Sequence, residues 1–389
     1  MKRNISKIFF CGIALAAFTL VSCGDDADYG VLHDQAFIAQ TNTNGNSSQK
    51  LTVGNDPVST ALTVRLSDAT SEACQFELEI DEAVLQKYNE RNSESLNLLP
   101  AEGYELSSNV ITIEAGNANS LPITLTVFPF SEEISNTGLK YAIPFRLKSK
   151  DGKKTVLSSG SEFVIVLDKV PIQAVPLVNS NCKIDINFGE EQPLLEYTVE
   201  MCVNMDILGT RVGQYNNQGL FWRGTTNGSG ECYLRFGDAP IEGNRFQTKT
   251  MGTQMNSNML FTANQWYHLA VVCTGTKLYF YFDGALDNSM DLPGTVQTFA
   301  STAQLISSGT YWKANNAKIA QFRFWSKART QAEIANSMYS VDPNSEGLEC
   351  YLKMDDGSGD TFHDYSGHGR DGVSQSTIRW QEEVRIDGK

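Results

Sequence analysis

The sequence predicts an all-β chain folded as two β-sandwiches. Three observations predict it. Short alternating runs of apolar and polar residues recur every 8–15 positions, with turn residues between them. Long helical periodicities are lacking, apart from one stretch near Glu82–Arg91. The motif vocabulary also changes after a proline-bearing segment at 171–176.

In chain order, Lys2, Arg3 and Lys7 precede a 14-residue apolar run, Ile8 to Val21, and then Ser22-Cys23-Gly24-Asp25-Asp26. A basic start and a short apolar core followed by small residues read as a secretory signal. A bilayer span needs roughly 20 apolar residues. The Leu20-Val21-Ser22-Cys23 ending resembles the bacterial lipobox, and the acidic stretch after it resembles the surface-export signal of Bacteroidota lipoproteins. That resemblance implies a signal peptide over 1–22, lipidation of Cys23, an outer-membrane lipid anchor exposed at the cell surface, and an acidic tether over 23–35.

Residues 36–170 read as the first sandwich. Ala61–Leu66, Gln75–Ile80, Val110–Glu114, Ile123–Val127, Ile143–Leu147 and Phe163–Leu167 are its expected strands. Val84, Leu85 and Tyr88 share one face of the single expected helix. Tyr88-Asn89, Leu98-Leu99-Pro100, Tyr104 and Tyr141-Ala142-Ile143-Pro144 resemble a Bacteroidota lipoprotein domain of unknown function, DUF1735. The resemblance implies an immunoglobulin-like sandwich and no activity.

Residues 171–176 read as a linker, with Pro171 and Pro176. From 177 to 389 strands resume. Glu196–Asn204 alternates cleanly. Gln265–Cys273 and Lys277–Gly284 form a hairpin through Thr274-Gly275-Thr276. Lys318–Trp325 is a strand, a capping box of Thr330 and Glu333 opens a short helix, and Leu348–Met354 follows. The Tyr-Thr-Val-Glu strand at 197–200, Gln-Trp-Tyr-His-Leu-Ala at 265–270 and Leu-Tyr-Phe-Tyr-Phe-Asp-Gly at 278–284 resemble the laminin-G, concanavalin A-like jelly roll. The run Phe322–Ile334 and the Gly-rich loops 355–359 and 364–372 resemble it as well. The Asp-Gly-Ser-Gly block often opens this domain and here comes last. In a two-sheet sandwich first and last strands can be neighbours, so the fold survives the change of order.

Lys and Arg total 31 against 45 Asp and Glu, a net charge of −14. Loss of residues 1–22 removes three basic residues and no acidic ones, which makes it −17. Such a surface repels phosphate backbones and argues against nucleic acid as a partner. Cys74, Cys182, Cys202, Cys232, Cys273 and Cys350 are scattered without a C-x-x-C, and sequence cannot pair them.

No catalytic constellation stands out. Glu196 and Glu200 share a strand face with α-carbons ~13 Å apart, too far for glycoside hydrolysis. Glu77, Glu79 and Asp81 alternate with Phe76, Leu78 and Ile80, as on a strand with a wet face. His268 reads as a core histidine. Gly367–Gly372 matches G-x-G-x-x-G by count only, without a βαβ unit around it.

Sugar recognition needs flat rings for C–H faces and planar amides, carboxylates or guanidinium groups for hydroxyls. Tyr215, Asn216, Asn217, Trp222 and Arg223 lie in or beside Gly/Asn-rich turns, as do Tyr311, Trp312 and Asn315. These are the candidate glycan-binding residues, with simple loop packing the open alternative for Trp222 and Trp312. Asp355, Asp356, Asp364 and Asp371 lie within 17 residues of Gly-rich chain. They are candidate Ca²⁺ ligands, with an acidic turn held by side-chain hydrogen bonds the alternative. The functional expectation is a cell-surface glycan-binding lipoprotein of a polysaccharide-utilisation system. A glycoside hydrolase or lyase, and a protein-binding adhesin or assembly subunit, are the alternatives.

Overall fold

The computed structural model describes residues 33–41, 47–92, 94–306 and 312–388. The signal segment, Cys23, most of the tether, and Tyr311 lie outside the described residues.

The first sandwich sets one larger sheet against two smaller ones. The larger has the order Ser48–Val53, Glu162–Lys169, Lys140–Ser149, Cys74–Ile80, Val110–Ile113, with Leu96–Leu98 also beside Lys140–Ser149. The smaller sheets are Thr155–Val156, Gln35–Ile38, Val64–Leu66, and Val58–Leu62, Ile123–Val127, Tyr104–Leu106. All three give inward residues to one core, among them Ile38, Leu125, Phe76, Phe145 and Phe163. The expected strand at 61–66 is divided, because its two halves join different sheets. Helix Glu82–Asn92 lays Val84 and Leu85 on the outer face of the larger sheet, against Ala142 and Val164. On the wet face, Lys148 reaches Glu79 at 2.5 Å, and Arg146 pairs with Asp81 and, at 2.9 Å, with Glu162. These acids are cross-strand partners of cations.

Residues 171–176 are not a linker. All but Pro171 belong to strand Ile172–Val178, which pairs with both Arg379–Arg385 and Ala317–Trp325 and buries Ala174 and Val175. The prolines are accommodated at the strand's start and beside a bulge between Gln173 and Val175. Only Val170 and Pro171 separate the last strand of the first sandwich from the first strand of the second.

The second domain is a jelly-roll sandwich of two eight-stranded sheets. The first sheet runs Ala285–Asp291, Lys277–Phe282, Trp266–Cys273, Tyr197–Asn204, Ala317–Trp325, Ile172–Val178, Arg379–Arg385, with Leu348–Leu352 also on Ala317–Trp325. The second runs Thr253–Leu260, Arg245–Thr250, Cys232–Phe236, Gln218–Arg223, Thr302–Leu305, Ile184–Asn187, Gly372–Ser374, Thr361–Phe362. First and last strands of the domain are paired neighbours. Val199, Phe280 and Phe324 from one sheet meet Leu220, Phe221 and Phe246 from the other. Edge-to-face rings such as Phe246–Phe280, centroids 5.1 Å apart, fix the sheets' spacing.

Tyr197–Asn204 is buried on both faces rather than half-wet. The segment after Trp325, with helix Gln331–Ala335 and its capping box at Thr330, covers the outer side. Glu200 is fully buried there, 2.5 Å from Arg329 and 3.3 Å from both Arg323 and His268. Arg323 also donates to the carbonyls of Ser337 and Met338, at 2.8 and 2.9 Å, and so clamps the cover down. Burial raises the Glu200 pKa, but His268 and the two guanidinium groups outweigh it and hold the carboxyl at about 2. Cys74, Cys182, Cys202, Cys232, Cys273 and Cys350 are all buried free thiols.

Candidate functional site

The second sheet turns one face to the core and the other to solvent. Directly opposed residues of an antiparallel ladder share a face. The register pairs Val373 with Asp185, Asp185 with Gln304, Gln304 with Trp222, Trp222 with Tyr233, Tyr233 with Lys249, and Lys249 with Gln254. Seven strands thereby place seven side chains in one row across the outer face. At ~4.8 Å per strand the row spans about 29 Å. A bulge between Gly219 and Phe221 lets both Leu220 and Phe221 enter the core and aims Trp222 outward.

Trp222 is half-buried, and its position is specified on two sides. Its Nε1–H donates to Glu231 Oε2 at 2.9 Å. A Cβ at Gly224 would stand 3.0 Å from its ring, so a larger residue there would press on the ring where glycine does not. The turns around Gly230 and Gly252 meet at one end of the row, where a Cβ on Gly230 would stand 2.6 Å from the Gly252 nitrogen. Together these segments shape an open groove of about 780 Å³, lined by Trp222, Thr225, Glu231, Lys249, Thr253 and Gln254.

Tyr233 is fixed from the other side. Its hydroxyl donates to Asn217 Oδ1 at 2.8 Å, and Arg235 donates to the same oxygen at 2.7 Å. Arg235 also donates to Asp238 at 2.6 Å and Gln247 at 2.9 Å, and Gln247 passes the chain on to Asn256 at 2.7 Å. Farther along the row, Gln304 and Gln375 both donate to Asp185, each at 2.7 Å. The face therefore offers two ring systems flanked by amides, one carboxylate held by an indole, and a lysine.

Sequence-derived candidates divide on this geometry. Trp222 and Asn217 lie on the face. Tyr215 and Asn216 sit in the adjoining turn, with Tyr215 exposed at φ +51°. Arg223 does not bind from this face. It points inward, fully buried, with its guanidinium 3.7 Å from the Phe188 centroid and hydrogen bonds to Ala300 and Gln192. Trp312 is a core residue, 6% exposed, whose indole N–H donates to the Ala314 carbonyl at 2.6 Å. Asn315 is exposed but remote: Gln218 Oε1 holds the 313–314 backbone at the opposite end of the strand from Trp222, ~13 Å away. Trp312 and Asn315 do not join Trp222 on the face.

Nor do the four aspartates form a Ca²⁺ cage. Among the described residues, no three His, Cys, Asp or Glu side chains come together as a metal would require. Asp364 instead accepts from the backbone N–H groups of Tyr351, Ser366 and Arg370. Asp371 accepts from Asp364 N, and Asp356 from His363 N. Asp355 is turned elsewhere, into a cleft between the domains. These oxygens order a tight acidic turn.

Tyr233, Lys249, Gln254, Gln304, Asp185 and Glu231 were not singled out by sequence reasoning. Cys232-Tyr-Leu-Arg-Phe236 does carry an alternation that points Tyr233 and Arg235 to one side. Its own neighbours, the strands of Trp222 and Lys249, are adjacent in the chain, whereas Gln304 and Asp185 join the row through pairings distant in sequence.

The fold and this face define a concanavalin A-like sandwich. Residues 184–335 match the Laminin_G_3 family model, described as the concanavalin A-like lectin/glucanases superfamily. Residues 32–154 match a separate family model, described as an N-terminal domain. A crystal structure from Bacteroides ovatus, of a candidate carbohydrate binding protein, is similar over 91% of this chain and 100% of its own, with a TM-score of 0.65 and 21% identity. It has the same two-domain fold. A Limulus polyphemus SAP-like pentraxin is similar over 56% of this chain and 98% of its own, at 11% identity and a TM-score of 0.38. A two-domain protein of unknown function from Bacteroides fragilis covers 70% and 94%, at 12% identity and a TM-score of 0.28. A search of curated proteins found no match.

Proposed function

We propose that this protein is a cell-surface glycan-binding lipoprotein of a polysaccharide-utilisation system, which holds its ligand without cleaving it. The single observation that carries the reading is the solvent-facing row centred on Trp222 and Tyr233. Sugar rings stack on the two aromatic faces, and Gln304, Asp185, Glu231, Lys249 and Gln254 meet their hydroxyls. Most of the groove is preformed, so little ordering cost opposes binding. The two acids of this face, Glu231 beside strand Cys232–Phe236 and Asp185 on Ile184–Asn187, lie three strands apart in the sheet, ~14 Å at the backbone, wider than the carboxyl separation that glycoside hydrolysis uses. The lipobox-like sequence ending at Cys23 supports the anchor, and the first sandwich then serves as a spacer. The test is retention on a glycan array, with chromatography of the bound glycans afterwards. Retention of intact chains that is lost in Trp222→Ala is the expected result. Shortened products would replace capture by hydrolysis, and no retention of any glycan would remove the reading.

A further inference from the structure

The two sandwiches enclose a cleft of about 410 Å³. Its shape is held by backbone on both partners. Val170 N donates to Val53 O at 3.0 Å, and the next carbonyl, of Pro171, accepts from Ile386 N at 3.0 Å. Gly138 of the first sandwich, at φ +66°, lies so close to the second that a Cβ would stand 1.8 Å from the Val341 carbonyl oxygen. A two-residue connection and a backbone contact of this kind leave little slack for hinging. Interfaces between domains are common places for small-ligand sites.

The lining runs against the charge of the chain. Four lysines face it, Lys50, Lys140, Lys169 and Lys353, against three acids, Glu94, Asp168 and Asp355. On a protein of net charge −14, a cleft with surplus positive charge is out of trend. Lys353 is 6% exposed, with its ammonium 3.9 Å from the Tyr365 ring centroid. Burial pushes Lys169 and Lys353 below the ordinary lysine range, and Lys353 lowers Lys169 further. Asp355 is the acid within electrostatic reach of both, and its Oδ1 is buried without a hydrogen-bond partner. A buried acceptor in that condition favours a ligand that brings a donor. The rings of Tyr88 and Tyr339 also line the space.

We propose that this cleft is a second binding site, for a small hydroxylated acid of the uronic acid class. Its carboxylate lies toward Lys169 and Lys353, and one of its hydroxyls donates to Asp355 Oδ1. The inference stands apart from the reading of the Trp222 groove and gives the first sandwich a share in recognition.

Titration calorimetry on the two-domain chain tests it. The probes are glucuronate and galacturonate, with glucose and galactose as uncharged controls, and a glucuronate-ended oligosaccharide to separate a free acid from a chain terminus. Saturable binding of a uronate in either form, with none of the neutral sugars, is expected, and the stronger form identifies the source. Lys169→Ala weakens it about tenfold or more, whereas Trp222→Ala leaves it unchanged. Absence of saturable uronate binding overturns the proposal. So does uronate binding that survives Lys169→Ala, is matched by the neutral sugars, or disappears in Trp222→Ala.

Discussion

Two tryptophans that look alike in the sequence should fail in opposite ways when truncated. Trp312 is packed into the core between the sheets, and its indole nitrogen is hydrogen-bonded to Ala314. Removing a ring from such a site loses its transfer energy and leaves a cavity, together about 3–5 kcal/mol. For a domain of this size each kcal/mol lowers Tm by about 2–4 °C, so Trp312→Ala should lower it by about 6–20 °C. Trp222 is half-buried on a solvent face and gives up one hydrogen bond, to Glu231. That loss is worth about 1 kcal/mol and a few degrees. Its ring is the proposed anchor, and losing an anchor of about 2 kcal/mol weakens retention about 30-fold. The assay is differential scanning calorimetry of both variants beside affinity electrophoresis on a glycan that the wild type retains. A Trp312→Ala protein as stable as wild type would refute the core assignment. A Trp222→Ala protein that keeps full retention would refute the face.

Other outcomes follow from the same geometry. Glu200 has a folded pKa of about 2 against an ordinary value of 4.5, so its charged form stabilises the fold above about pH 4.5. That contribution, on the order of 3 kcal/mol, is lost as pH falls from about 5 toward 2. Glu200→Gln should be less stable at pH 7 and show a flatter acid limb in urea titrations, and an unchanged limb would sink the argument. The six described cysteines are buried, and burial raises the thiols of Cys202, Cys232, Cys273 and Cys350. A chain beginning after residue 32 should therefore react with a thiol reagent only after unfolding, and rapid native labelling would contradict it. With the Asp364 and Asp371 oxygens already accepting from backbone N–H groups, chelator should leave Tm unchanged; a fall of several degrees would restore the cation. Gly138→Ala, forced against the Val341 carbonyl at positive φ, should cost more than about 1 kcal/mol, read by urea denaturation.

Much of the fold was legible because its causes are local. Alternation placed most strands, Thr330 and Glu333 marked a helix start, and Val84, Leu85 and Tyr88 marked a helix face. The linker reading went astray because a proline pair looks the same beside a bulge as in a tether. The aspartates stayed open between two readings in the sequence, because a carboxylate that caps backbone N–H groups has the same spacing as one that binds a cation. Arg223, next in sequence to Trp222, illustrates the limit: a one-residue bulge decides which neighbour faces water.

Sequence alone determined that this chain is all-β in two parts, since period and turn residues act over a few positions. Only the tertiary structure decided that Trp222, Tyr233, Lys249, Gln304 and Asp185 stand side by side, and that Trp312 does not join them. Strand pairing brings together residues more than a hundred positions apart, and no local pattern records a register.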